Sequence, residues 1–415
     1  MRLFSPANIL LPKNTDMTAW SVVACDQFTS EPEYWDAVYR TVGDKPSTLR
    51  MILPEAELSV KDPELEREKI YATMQSYLKG GIFNEYKGSY IYVERRLNSG
   101  AVRSGIIGMI DLEAYDWHED SVTPIRATEH TVEDRLPPRV KVREMASLDM
   151  PHIMMFIDDP ENIVLNSAEK GSKLYDFELM QNGGHISGWL VADNGKVNEA
   201  FSKLCGDDEL IKKYGSAENP IIFAVGDGNH SIAAAKKFWN SVKTELPEEE
   251  WENCPARYAL AELVNIHDES ISFEPIHRVL FDTDNSQFIG AAKAMFGEYS
   301  GEGREVCFMS GGKKEVLNIG KLTIGQLIDK CDELCNEYVV KHGGYIDYIH
   351  GDSECSSMAS ADNCAGILLP TMEKSELFTS VLKSGPFPKK SFSIGHGPDK
   401  RYYLECRAIK TCHVE

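Results

Sequence analysis

Pro220-Ile-Ile-Phe-Ala-Val225 reads as a fully buried strand that passes without a spacer into Gly226-Asp227-Gly228-Asn229-His230-Ser231 and then into a helix from Ile232 to about Lys243. Continuous apolar strands belong to sheets covered on both faces, so this junction predicts an α/β fold. Gly226 and Gly228 permit a tight turn and close approach of backbone to a ligand. The free N–H groups of the helix's first turn, near Asn229 to Ala233, form a site for an anion such as phosphate. Asp227 beside that site repels phosphate unless a cation mediates, and Mg²⁺ held between a carboxylate and phosphate oxygens resolves the conflict. His230 is placed to donate to a phosphoryl oxygen.

Other segments fit the same class. Trp20 to Cys25 reads as a second buried strand, with Asp26 at its carboxyl end, where open α/β sheets bind ligands. Helices are predicted from Glu33 to Val42, capped by Ser30, from Lys61 to Leu78 and from Lys196 to Cys205. Gly88 to Arg95 and Val102 to Leu112, joined through Asn98-Ser99-Gly100, read as an antiparallel pair. Ile153–Ile157, His185–Val191 and Tyr258–Asn265 complete the strands, and beyond about residue 290 the pattern loses regularity. The expected architecture is therefore α/β with a mixed sheet. At 415 residues the chain exceeds one ordinary core, which predicts a core over 1–290 and a C-terminal region over 291–415 closing on the site.

A net charge of −21 argues against nucleic acid or an anionic membrane as partner. No apolar run is long enough to span a bilayer, and the first residues lack the pattern of a secretory signal, so a cytoplasmic enzyme acting on small molecules is expected. A homodimer is compatible with the sequence. The ten cysteines form no CxxC pair, and Cys331 and Cys335 fall on an amphipathic helix, so reduced thiols are expected. Two basic islands stand out. The first holds Arg126, Arg135, Arg139, Lys141 and Arg143 around Pro137-Pro138; the second runs from Pro388 to Arg407. In the second, Lys400 and Arg401 read as an exposed basic face. His118, His185, His342 and His413 read as structural or surface residues.

The string FAVGDGNHSIAAAKKFW resembles the ADGHHRYETAL-type signature of a bacterial and archaeal domain-of-unknown-function family. Asp26 in VACDQFTSEPEYW is similar to the Asp of that family's N-terminal VAAPPYDVI stretch. Glu129 and Thr131 fit its HExT element and Arg135 its following Arg. His277-Arg278 fits a Pro-Thr-His-Arg element, and Lys390-Ser391 its Pro-x-Lys-Ser. The chain departs from the signature at Asn229, Ser231 and Thr128, where the family has His, Arg and His; without that Arg a bidentate phosphate fork is missing.

The Asp-Gly-x-His loop is in turn similar to the phosphate-binding element of the ParB/sulfiredoxin-like fold, which includes free L-serine kinases. The resemblance implies a catalytic core of that fold, with Asp26 as general base, and Asp227 and His230 as catalytic groups. It implies donor contacts from Gly226, Gly228, Asn229, Ser231, Arg135, Arg139, Arg278, Lys390 and Ser391, and acceptor contacts from Glu129, Thr131 and His277. Asp227 is the expected Mg²⁺ ligand. No Walker-type GxxxxGK(S/T) is present, which leaves ATP, ADP and pyrophosphate open as donors. A phosphohydrolase using the same site, or a phosphate sensor without turnover, are the alternatives.

Overall fold

The computed structural model of the chain describes residues 3–409 except 59, 151 and 298; the side chain of Arg135 also lies outside the described part. The fold is mixed α/β, built on an eleven-stranded and a six-stranded sheet. The first sheet is organised by the hairpin Phe83–Arg96 and Val102–Asp111, whose register sets Ile91 opposite Ile107 and Val93 opposite Gly105. Leu97 to Ala101 closes the turn, and the antiparallel pair expected from the alternation is present. Tyr258–Asn265 pairs antiparallel with Val102–Asp111 and parallel with Met154–Ile157. Phe223–Asp227 runs antiparallel to Met154–Ile157 and parallel to Ile125–Ala127, so the strand leading into the glycine loop lies inside the sheet. Phe223, Ala224 and Val225 are fully buried, as their unbroken apolar run requires.

Helix Asn229–Lys243 follows at once and starts three residues earlier than the apolar spacing predicts, because the polar Asn229, His230 and Ser231 form its first turn. Its Ile232, Ala233, Ala235 and Trp239 join Ile125, Leu136 and Val225 in the main core. Pro137 and Pro138 sit in the first turn of helix Leu136–Met145, where a missing N–H costs no helical hydrogen bond. In the second sheet, Phe273–Phe281 is flanked by Tyr345–His350 and Ala365–Leu368, and helix Ile324–His342 covers one face. Thr323 and Gln326 close a capping box on that helix, and Cys331 and Cys335 are buried, free thiols.

Two expectations change. Trp20 to Cys25 is not a strand of the main sheet. Asp16 caps a short helix, Met17–Trp20, by accepting from the Thr18 and Ala19 N–H groups, and only Val22–Val23 is extended, pairing with Tyr402–Tyr403. Its apolar residues are buried among the N-terminal strand Ala7–Pro12, helix Pro32–Val42 and this C-terminal segment, without parallel strand neighbours. Ser30 does not cap the next helix, Pro32–Val42, which begins at a proline after Glu31 with no side-chain cap. As for the division after residue 290, the second sheet already includes Phe273–Phe281, and residues 402–409 return to the N-terminal part.

Candidate active site

The glycine loop is shaped by two close contacts. A side chain on Gly226 would have its Cβ 2.5 Å from the Phe156 ring, and Gly228 has φ +84° with its Cβ direction 3.1 Å from the Ile153 Cα. Only glycine fits either place without displacing Met154–Ile157 or its neighbour. Gly228 stands at the N-cap of helix Asn229–Lys243 and no side chain caps that helix, so its first N–H groups keep their affinity for an acceptor.

Thr128 and Glu129 lie beside the loop. The Thr128 hydroxyl donates to the Val225 carbonyl at 2.5 Å, which fastens the two parallel strands. Phe387 brings the C-terminal tract alongside: its N–H donates to Thr128 O at 2.7 Å and its carbonyl accepts from His130 N–H at 3.0 Å. The Lys390 N–H then donates to Glu129 Oε1 at 2.6 Å. These pairings enclose a polar cleft of about 100 Å³ lined by Glu129, Gly226, Asp227, Asn229, Ser391 and Lys400, among others. Lys400 was missed as a site residue in the sequence, where it reads as exposed. Arg95 holds it in place, donating to the Lys400 carbonyl at 2.5 Å and to Gly183 O at 3.1 Å, and its Nζ stands 3.8 Å from Asp227 Oδ2.

The electrostatics of this cleft are unbalanced. Asp227 Oδ1 accepts from Gly228 N–H at 2.9 Å, while Oδ2 is buried without a hydrogen-bond partner, and so is Asn229 Oδ1. Burial pushes the Glu129 carboxyl above its ordinary value and the charge of Asp227 adds to it, against the opposing Lys390 N–H and Lys400. Two carboxylates facing one lysine leave room for a further positive group. Among the described residues no three His, Cys, Asp or Glu side chains form a metal cage. Mg²⁺, however, is commonly held by one or two carboxylates together with substrate phosphates, and the unpartnered Asp227 Oδ2 fits that role.

Asp26 does not line this cleft; it follows Val22–Val23, whose pairing with Tyr402–Tyr403 ties its segment to the one that carries Lys400. His152 Nε2 is 3.8 Å away, and Gln27 Nε2 donates to Asp26 Oδ1 at 3.4 Å. Burial raises the Asp26 carboxyl, but the charges of His152 and Arg139 outweigh it and hold the group below the ordinary carboxylate range. His152 was not singled out in the sequence; an isolated histidine between apolar residues carries no spacing signal.

The remaining expected residues divide. Ser231 and Arg139 line a second, larger cleft, and Arg139 pairs with Glu55. His230 Nε2 accepts from Val132 N–H at 3.3 Å, so one ring nitrogen anchors the 131–132 segment, where the Thr131 hydroxyl is buried and unpartnered. Ser391 donates to Pro388 O at 2.6 Å and shapes its turn. The Lys390 ammonium lies 4.7 Å from the Tyr348 ring centre, so the backbone of Lys390 serves the cleft while its side chain points to the second sheet. Arg278 is a correction. Its fully buried guanidinium is spent on Asp332 (2.6 and 3.0 Å) and on the carbonyls of Ile276 and Lys390, leaving no fork for a phosphate. His277 is likewise engaged, by Asp352 at 2.9 Å and by Leu369 N–H at 3.1 Å. The Arg135 side chain lies outside the described residues.

With its eleven-stranded and six-stranded sheets covered by helices, the chain belongs to the broad class of mixed α/β proteins. More narrowly, the family model described as "Protein of unknown function (DUF1015)" matches residues 5–363, and the chain belongs to that family. No curated protein matches it in sequence. Among solved structures it is similar to a conserved hypothetical protein from Pyrococcus furiosus, at 10% identity over 71% of this chain and 92% of that one, TM-score 0.33. It is also similar to a free serine kinase variant in complex with ADP, at 9% identity over 72% and 91%, TM-score 0.38. A third is SbnI with C-terminal truncation from Staphylococcus aureus, at 10% identity over 70% and 83%, TM-score 0.35. Among the described residues no helix is long and apolar enough to cross a membrane.

Proposed function

We propose that the chain is a phosphotransferase acting on the hydroxyl of a small free amino acid, L-serine foremost, with a nucleotide or pyrophosphate as donor. The observation that carries this reading is the meeting, in one cleft of about 100 Å³, of an uncapped helix start, the unpartnered Asp227 Oδ2 and Lys400 3.8 Å from it. Water takes about 30 Å³ of liquid volume, so this space suits a phosphate group or a very small polar molecule. The helix amides and Lys400 receive the transferring phosphoryl oxygens, whose charge is stabilised by donors fixed beforehand. Asp227, with Glu129 beside it, would hold Mg²⁺, which neutralises phosphate charge when bound. Asp26, held in its ionised form, takes the hydroxyl proton as the acceptor oxygen bonds to phosphorus. The bond from phosphorus to the leaving oxygen breaks, and the leaving phosphate keeps the electron pair.

The test is phosphorus NMR on the full chain with Mg²⁺ and L-serine, supplied in turn with ATP, ADP and pyrophosphate. O-phosphoserine should form with at least one donor. Asp227→Asn and Lys400→Met should each lower kcat/KM by about 10²–10³-fold, the usual loss for one charge-stabilising contact. Asp26→Asn should abolish turnover while donor binding persists. Donor breakdown at the same rate with and without serine would replace the kinase by a hydrolase, and donor binding with no breakdown would leave a sensor.

A further inference from the structure

The second cleft, with a volume of about 550 Å³, lies within the roughly 300–1,000 Å³ typical of pockets for organic ligands. It occupies the other side of the same helix start: Asn229 lines the small cleft, while Ser231, two residues on and about 200° around the helix, lines the large one. Its walls are largely aliphatic, with Met51, Leu53, Met74, Val142, Leu148 and Met150 among the lining residues. Neither a bare phosphate nor a serine needs such walls.

The charged groups in this cleft are incompletely used. Its permanent cations are Arg67, Arg139, Lys141 and Arg143, against the carboxylates of Glu55, Glu64 and Asp149. Arg143 Nη1 donates to Asp149 Oδ1 at 2.8 Å, yet its Nε and Nη2 are buried without a partner. Arg67 pairs with Glu64, and its Nε is likewise buried and unpartnered. His152 is 2% exposed; its Nδ1 is 3.1 Å from the Tyr403 hydroxyl, and its Nε2, 3.8 Å from Asp26 Oδ1, makes no hydrogen bond. Buried polar groups are nearly always satisfied, so several unsatisfied ones around one apolar space call for an absent partner that carries negative charge.

We propose that the large cleft is a binding site for an organic anion, its apolar body held between the aliphatic walls and its phosphate or carboxylate head held by Arg67 and Arg143. His152 meets a polar group of the same ligand at the floor. This goes beyond the phosphotransfer reading and does not depend on it, because binding alone is claimed. A nucleoside phosphate and a medium-chain carboxylate share this chemistry.

Isothermal titration of the full chain with AMP, sodium octanoate and pyrophosphate separates the cases. At least one of the two organic anions should bind about tenfold more tightly than pyrophosphate, a difference well resolved by this method. Val142→Trp and Leu53→Trp, which fill the cleft from positions that are not fully buried, should each weaken that binding by about tenfold or more and leave pyrophosphate unchanged. Should a tryptophan lower the melting temperature, Arg67→Gln gives the same reading from the charged side. Preference for AMP assigns a nucleoside phosphate, and preference for octanoate assigns an acyl anion. The site is refuted if neither anion outbinds pyrophosphate, or if the folded variants bind like wild type. Neither result bears on serine phosphorylation, which is read by NMR.

Discussion

At the scale of single residues, what a charge does here depends on whether its partners leave any of it over. Arg278 and Asp227 were both expected at phosphate, yet the first has its hydrogen bonds filled by Asp332 and two carbonyls and the second keeps a buried oxygen without a hydrogen bond, 3.8 Å from Lys400. Asp149 shows the stabilising version. Burial raises its carboxyl, but Arg143 and Arg407 more than compensate and hold it below the ordinary value. A carboxyl lowered in the folded state contributes stability in full above its unfolded value of about 3.9, and loses it as pH falls through the folded value. Asp149→Asn should therefore lower the urea midpoint at neutral pH, leaving Arg407 buried and uncompensated at a cost of about 3–5 kcal/mol. The gap from wild type should narrow as pH drops below about 4. A gap that stays constant into strong acid would show that Asp149 contributes packing and no charge.

For elements, the strand–loop–helix junction is the part of the site with the least tolerance. Gly228→Ala places a side chain in the left-handed region, at about 1–3 kcal/mol, and brings it against Ile153, so a further loss is expected. The variant should melt at a lower temperature and, in the phosphotransfer assay, lose turnover because the helix start moves. Turnover unchanged in a folded Gly228→Ala protein would detach the helix start from the chemistry. The helix itself was legible because Ile232, Ala235 and Trp239 recur at helical spacing, and its first turn was not, because Asn229, His230 and Ser231 carry no apolar signal. Trp20 to Cys25 shows the opposite error: an apolar run specifies burial without specifying which partner covers it.

Over the whole molecule, residues 402–409 join segments far apart in the chain. Tyr402–Tyr403 pairs with Val22–Val23, Arg407–Ala408 pairs with Leu148–Asp149, and Leu404 and Ile409 are buried. Those last two side chains alone contribute about 3–6 kcal/mol of burial, against a total stability of about 5–15 kcal/mol for a typical domain. A chain ending at Lys400 should be largely unfolded, with its circular-dichroism melt lost and rapid trypsin digestion throughout. A cooperative melt retained by that truncated chain would show that the tail only decorates a finished core.

Residues near one another in the chain wrote the local elements: the apolar strand before Gly226, the hairpin around Gly100 and the capping box at Thr323 follow from periodicity and turn chemistry. The loop's glycines were legible for the same reason, since their conformations are local. Tertiary structure alone decided that Lys400 stands beside Asp227, that His152 stands beside Asp26, and that Arg278 is spent. Each of those facts joins groups far apart in sequence, and a charge's role is set by the charges it meets, which no local pattern records.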